Sequence, residues 1–235
     1  MIIVKNLTFF FDEQLIFHDL NFELFPGDRL CIIGKSGEGK SILFKLLCGL
    51  LPAKQGLISI LGMNPYPLTK SFTENIGVVF QNPALIDFYN LWENIGIKDI
   101  YENISKEIIL ERVSKILPLV GLSDRDKEKK VEELSGGMKK RVSIARAIYH
   151  QPKILFFDEP HSGLDPINAQ MIDHLLLDIL HKENILVVVT HDMNSVKFIA
   201  NKVLLIDNKK GYFFDDFNKI FLSSNRTLKM FFHTH

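Results

Sequence analysis

The sequence predicts an α/β fold built on a mainly parallel β-sheet, and three observations carry that reading. Apolar runs bounded by turn residues recur along the chain, and some are continuous rather than alternating, as in Ile154-Leu155-Phe156-Phe157. Continuous runs suit strands buried on both faces, the condition of a parallel sheet covered by helices. Helical stretches alternate with these runs. One run, Leu30–Ile33, leads into Gly34-Lys35-Ser36-Gly37-Glu38-Gly39-Lys40-Ser41 and then into an apolar helix, the strand–loop–helix setting of a phosphate-binding loop.

In chain order, strands are expected at Ile2–Phe10, Leu20–Leu24, Leu30–Ile33, Leu57–Leu61, Gly77–Phe80, Ile154–Phe157, Ile185–Thr190 and Val203–Ile206. Pro26-Gly27 marks a hairpin-like turn between the second and third of them. Helices are expected at Lys40–Leu51, Lys106–Val120, Gly136–His150, Pro166–Lys182 and Met193–Ala200. Asp165-Pro166 is a helix start with a mechanism. The carboxylate caps exposed N–H groups, and proline fits the first helical position because no donor is needed there. Residues from about 83 to 150 carry helices and few strand signals, so they read as a helical insertion.

The chain of 235 residues corresponds to about 1.6 domains at roughly 150 residues each. The expected division is one unit, 1–235: a core at about 1–82 and 151–207, a helical subdomain at about 83–150 and a tail at about 208–235. With 46% hydrophobic residues a core is affordable, which excludes global disorder. Lys+Arg and Asp+Glu are both 28, so the net charge is zero and no nucleic-acid partner is expected. Cys31 and Cys48 sit in apolar runs and read as core residues. No run approaches the roughly 20 apolar residues of a bilayer span, so the expectation is a cytoplasmic chain whose membrane role needs a partner.

The phosphate loop is the most specific local signal. Gly34, Gly37 and Gly39 let backbone N–H groups turn inward as an anion nest, and the helix N-terminus adds its positive end. Lys40 would bridge the terminal phosphates, and the Ser41 hydroxyl would ligate Mg²⁺. Lys35 and Ser36 complete the loop, Ile42 follows it, and Glu38 should point away from the phosphates. At the end of the Ile154–Phe157 strand, Asp158 can hold Mg²⁺ through water and Glu159 can orient or deprotonate an attacking water. Neighbours on a strand face opposite ways, which would divide those duties. Ser135 caps a helix opening with Gly136, Gly137 and Met138, followed by Lys139, Lys140 and Arg141. Basic residues disfavour a helix N-terminus unless anions lie nearby, so a second phosphate-facing surface is expected.

The order of phosphate loop, Gln81, Leu134-Ser135-Gly136-Gly137, Asp158-Glu159, Ser162-Gly163-Leu164-Asp165 and Thr190-His191 resembles the ATP-binding cassette (ABC) ATPases. The match runs from Phe11 to His191. It implies the P-loop NTPase fold of that family, with an N-terminal antiparallel β part and a helical subdomain, and the cofactors ATP and Mg²⁺. It also implies that Phe11 stacks on adenine, that Gln81 senses Mg²⁺ and a membrane partner, and that His191 contacts the γ-phosphate and the attacking water. Asp165 would communicate across a head-to-tail homodimer, in which Ser135, Gly136, Gly137 and Met138 face the other copy's ATP. The implied partner is an integral membrane permease, which would hold the chain at the inner face of the cell membrane.

Three strings are similar to the lipid-asymmetry (Mla/Mkl) branch: Ser135 to Val142, Ser162 to Ile167, and Phe80-Gln81-x-x-Ala84-Leu85. That branch implies phospholipid transport together with an MCE-domain lipid-binding protein. A transporter ATPase for another solute, such as an amino acid or metal, and a non-transporting division-type regulator are the alternatives. Two departures stand out, Ile42 and His161, where many relatives have threonine. The tail holds Tyr212, Phe213, Phe214, Phe217, Phe221, Phe231 and Phe232. It either packs on its own domain or docks on a partner.

Overall fold

The computed structural model describes residues 1–233. Nine strands and nine α-helices lie among them. The strands are β1 (Ile2–Phe11), β2 (Gln14–Leu24), β3 (Arg29–Ile33), β4 (Gln55–Ile60), β5 (Ile76–Val79), β6 (Ile154–Asp158), β7 (Ile185–Val189), β8 (Lys202–Asp207) and β9 (Lys210–Phe214). They make two sheets: antiparallel β2-β1-β4, and a six-stranded sheet ordered β5-β6-β7-β3-β8-β9. All neighbours in the larger sheet run parallel except β8 and β9.

The continuous apolar runs are explained by two cores, one on each face of the larger sheet. In β6, Leu155 and Phe157 enter one core while Ile154 and Phe156 enter the other. In β3, Cys31 and Ile33 face the first core, and Leu30 and Ile32 face the second. Period-two alternation thus places Leu30–Ile33 and Ile154–Phe157 wholly in apolar surroundings. The first core lies under α5 (Lys106–Ile116), α6 (Gly136–Ile148), α7 (Pro166–Asp178) and α8 (Met193–Ile199). The second lies between the larger sheet, the antiparallel sheet and α1 (Lys40–Leu47), where Phe44 sits edge-on to Phe80 and Phe156.

Pro26-Gly27 does not make a hairpin. Asp28 N–H bonds to Phe25 O in a turn, but β2 then pairs with β1 while β3 pairs with β7 and β8. The turn carries the chain from one sheet to the other. β2 also begins at Gln14, well before Leu20, because register shifts and the positive φ of Asn6 and Asp19 break the alternation that marks a strand. Between β5 and β6 lie α3 (Leu91–Ile95), α4 (Ile97–Tyr101), α5, three short 3₁₀ turns and α6. α2 (Lys70–Thr73) precedes β5.

The tail packs on its own domain. β9 extends the larger sheet, and α9 (Arg226–His233) places Leu228 and Phe232 in the first core at 1% and 6% exposure. Phe217, Phe221 and Phe232 form a triangle of edge-on rings with centroids 5.7, 5.9 and 6.0 Å apart. Phe232→Ala should therefore destabilise the chain by about 3–5 kcal/mol, the usual cost of deleting a buried aromatic ring. Urea unfolding checks this, and an unchanged midpoint would contradict the packing.

Candidate functional site

The phosphate loop runs from the end of β3 to the start of α1. Lys40 Nζ donates to Gly34 O (2.8 Å) and Lys35 O (2.9 Å), so the side chain folds back across the loop. Gly39 has φ +99°, and a Cβ there would run into the Ile16 side chain and crowd Phe17 on β2. Glycine is required at that point because the loop both turns left-handed and touches the second sheet. Ile42 N–H is already bonded to Gly39 O (3.0 Å), and its side chain packs on the second core.

β6 ends at Asp158. Glu159 takes φ +47°, outside strand geometry, and its N–H bonds to Val189 O of β7 at 2.8 Å. The division of the two carboxylates therefore comes from this left-handed turn and not from strand alternation. Glu159 Oε2 lies 2.7 Å from His191 Nδ1, which follows β7. A cleft of about 460 Å³ is lined by Gly34, Ser36, Gly37, Gly39, Lys40, Ser41, Ile42, Gln81, Glu159 and His191. The structure thus gathers most of the expected residues from four separated strings around one cavity.

Burial lowers the Lys40 pKa, while Glu159, Asp158 and Glu38 oppose the shift by favouring its charged form. Burial, and then the Glu159 charge, push the Asp158 carboxyl above its ordinary range, against the attraction of Lys45, Lys40 and Lys140. Asp158 Oδ1 is buried and has no hydrogen-bond donor among the described residues. An underprovided buried carboxylate oxygen beside a phosphate loop fits a hard, oxygen-seeking cation such as Mg²⁺. Inward-turned loop glycines and a half-buried lysine fit a polyphosphate.

The raised Asp158 pKa has a stability consequence. A carboxyl whose folded pKa exceeds its unfolded value is a liability wherever it is ionised in both states. Asp158→Asn is therefore expected to raise the Tm of the ligand-free chain at neutral pH. The gain should disappear below pH 3.8, the ordinary value for this carboxyl. A lowered Tm at neutral pH would contradict the assignment.

Other expected residues lie outside that cavity's lining. Phe11 ends β1 and is 53% exposed. Lys35 and Glu38 belong to the loop but do not line the cleft. Ser135 caps α6 by accepting Met138 N–H at 3.3 Å, leaving Gly136 open on its side-chain side, while the Met138 side chain leans on the first core. Asp165 caps α7, accepting Ile167 N–H (3.1 Å) and Asn168 N–H (3.0 Å). Gln81, which does line the cleft, donates from Nε2 to Ser162 Oγ at 3.1 Å.

The basic first turn of α6 has internal employment. Lys140 is buried and its Nζ donates to Gln81 O, and Arg141 Nη1 donates to Val120 O at 2.7 Å. These contacts account for two of the three cations without a second anion site, so the charge pattern alone does not call for one. Lys140 ties α6 to the Gln81 segment, and Arg146 donates to Pro83 O and Ala84 O (both 2.8 Å) just beyond it. The signal for Lys140 was present in its position on the α6 face shared with Ser143 and Ile144, three and four residues on and both buried.

The family model described as "ABC transporter" matches residues 17–162. The methionine import ATP-binding protein MetN of Campylobacter jejuni is 34% identical over an alignment covering 98% of this chain and 75% of that protein. The energy-coupling factor transporter ATP-binding protein EcfA2 of Caldanaerobacter subterraneus is 33% identical, over 97% of this chain and 83% of that protein. Among solved structures, a dimeric post-hydrolysis state of the ATP-binding cassette MJ0796 bound to ADP and Pi aligns with a TM-score of 0.78 and 28% identity, covering 90% of this chain and 96% of that one. The structure of cbiO1 from Clostridium perfringens, part of the transporter complex cbiONQ, aligns with a TM-score of 0.82 and 25% identity, covering 97% and 94%. With the motifs in order, the fold matched and a phosphate loop facing a carboxylate–histidine pair, this chain belongs to the ABC transporter family as an ATP-binding subunit, a Mg²⁺-dependent ATPase.

Proposed function

We propose that this chain works as a head-to-tail homodimer that hydrolyses ATP to drive a separate membrane permease, to which it is attached on the inner face of the membrane. The observation that carries this is the contact of Glu159 Oε2 with His191 Nδ1 at 2.7 Å in the cleft that both share with Lys40 and Ser41. Glu159 accepts a proton from the attacking water, and His191 orients Glu159 and faces the γ-phosphate. Gly34, Lys35, Ser36, Gly37, Gly39 and Lys40 cradle the phosphates, with Glu38 turned outward and Ile42 contributing packing. Ser41, Asp158 through water, and Gln81 would hold Mg²⁺, which supplies charge neutralisation at the phosphate oxygens. Phe11 offers its exposed ring to adenine. Ser135, Gly136, Gly137 and Met138, with Asp165, meet the nucleotide held by the other copy, so that ATP is part of the interface. MJ0796, the dimeric neighbour, supports the pairing.

The permease would dock where residues 83–150 meet the core. An apolar groove of about 320 Å³ lies there, lined by residues including Leu50, Leu68, Phe80, Ile95 and Ile97 and rimmed by Glu74, Lys98 and Arg146. Phe80 joins it directly to Gln81.

For the substrate, relatives named for methionine import that align over nearly the whole chain support a small-solute importer. Phospholipid transport with an MCE-domain protein is the second reading, supported by Ser135-Gly136-Gly137-Met138-Lys139-Lys140-Arg141-Val142 and the two other strings. Purification of the native complex from membranes discriminates: a permease with a solute-binding partner supports the first, an MCE-domain protein with bound phospholipid the second. Purification without any permease would overturn both.

A further inference from the structure

A buried polar chain runs behind the Glu159–His191 pair. His161, Asp173 and Ser195 are 7%, 6% and 0% exposed. His161 Nε2 lies 2.6 Å from Asp173 Oδ1, a close polar contact without hydrogen-bond alignment. Ser195 Oγ lies 2.8 Å from Asp173 Oδ2 and 3.2 Å from Asp192 Oδ2, so its single proton is shared between two carboxylates. Asp192 caps α8 by accepting Asn194 N–H at 2.9 Å, and it is the residue after His191. The contacts close a ring: Glu159 leads through Pro160 to His161, then Asp173, Ser195 and Asp192, and back through His191 to Glu159.

Burying this set is not a way to gain stability. Two charged or polar groups taken out of water lose hydration that their mutual attraction seldom exceeds, and apolar replacements of similar size are often neutral or stabilising. What such contacts supply is fixed direction and length. Here they cross a loop. His161 precedes Ser162-Gly163-Leu164-Asp165, while Asp173 stands two turns into α7, beyond that loop. Ser195 then ties α7 to α8, whose N-terminus carries His191 just ahead of it.

We propose that His161, Asp173 and Ser195 are positioning residues for hydrolysis, a strut that sets the placement of Glu159 against His191 and links it to the loop ending at Asp165. The inference rests on the catalytic reading of Glu159 and His191 given above.

The test uses the full chain with Mg²⁺ and ATP. The double variant His161→Leu/Asp173→Leu removes the strut and keeps the interior apolar. Its kcat should fall about 10- to 100-fold, the size of effect expected from small misplacement of reacting groups, with KM for ATP unchanged within about twofold and no loss in Tm. Ser195→Ala should lower kcat about threefold or more, and Ser195→Thr, which keeps the hydroxyl, should recover it. A purely structural role would instead lower Tm and leave kcat per folded molecule intact. Wild-type kcat in the double variant overturns the strut. If that variant fails to fold, wild-type kcat in Ser195→Ala does so. Glu159→Gln run alongside separates the two readings. A silent Glu159→Gln beside an unimpaired double variant rejects the strut alone, and full turnover by Glu159→Gln rejects the catalytic reading beneath it.

Discussion

Glu159→Gln is expected to abolish steady-state phosphate release, by about 10²–10⁴-fold, while the protein still binds ATP. The amide has the same shape as the carboxylate, so the left-handed turn at φ +47° and the bond from residue 159 N–H to Val189 O remain available. What is lost is the ability to take a proton from water. Nucleotide binding should survive for a second reason. The Glu159 charge is one of the two causes that push the Asp158 carboxyl up, so neutralising it favours ionised Asp158 and with it cation binding. Lys40 loses one stabilising neighbour, but Asp158 and Glu38 remain. Bound ATP that is not consumed should hold two copies together, and size-exclusion chromatography with ATP and Mg²⁺ reads that directly. Turnover within about twofold of wild type would refute the role of Glu159.

How much of this was legible before the structure depends on distance along the chain. The phosphate loop could be read because its chemistry is local: glycines, lysine and serine in one string, between a strand and a helix. The Asp158–Glu159 strand end and the Asp165-Pro166 helix start were readable for the same reason: the strand matches expectation to within one residue, and the helix begins at Pro166 as expected but ends at Asp178, four residues before Lys182. Pairing was not readable. Nothing local to Pro26-Gly27 tells that β2 turns back to pair with β1 while β3 inserts between β7 and β8, since β3's partners lie more than 150 positions away. β9 was hidden by the aromatic density of the tail, where alternation is masked by phenylalanines on both faces. The buried polar residues were hidden by a sound general rule. Lys140 and Asp173 are types found mostly at surfaces, and only the assembled fold supplies the Gln81 O and Ser195 Oγ that partner them in the interior, with His161 beside Asp173.

The electrostatics bear out the zero net charge as a statement about the whole chain and not about the cleft. Lys40, Lys45 and Lys140 all act on Asp158, so three cations converge on one end of β6 while the remainder of the surface balances. Phosphate attraction of this kind is short-ranged and arranged by folding. A global basic excess would add salt-dependent attraction for any polyanion, which a nucleotide site does not need.

Lys40→Ala should therefore separate nucleotide affinity from folding. A single charge about 4 Å from a phosphate is worth about 4 kcal/mol at an effective dielectric near 20, and half of that after discount for partial exposure and salt still amounts to about 30-fold. The expected loss of ATP affinity is then about 30- to 1,000-fold, with phosphate release falling in parallel. The free protein gives up less. Among the described residues Lys40 Nζ donates only to Gly34 O and Lys35 O, carbonyls at an open cleft that water can reach once the side chain is gone. The loop keeps its shape from Gly39, whose carbonyl accepts both Ile42 N–H and Leu43 N–H as α1 begins, and from its contact with Ile16 and Phe17. Tm should accordingly stay within about 2–4 °C of wild type, the range that 1 kcal/mol spans at this size. Titration of a fluorescent ATP analogue and thermal melts of the same preparation check both halves. ATP affinity within threefold of wild type would remove Lys40 from the phosphate site. A collapse of Tm with affinity intact in the folded fraction would make it a structural pin for the loop instead.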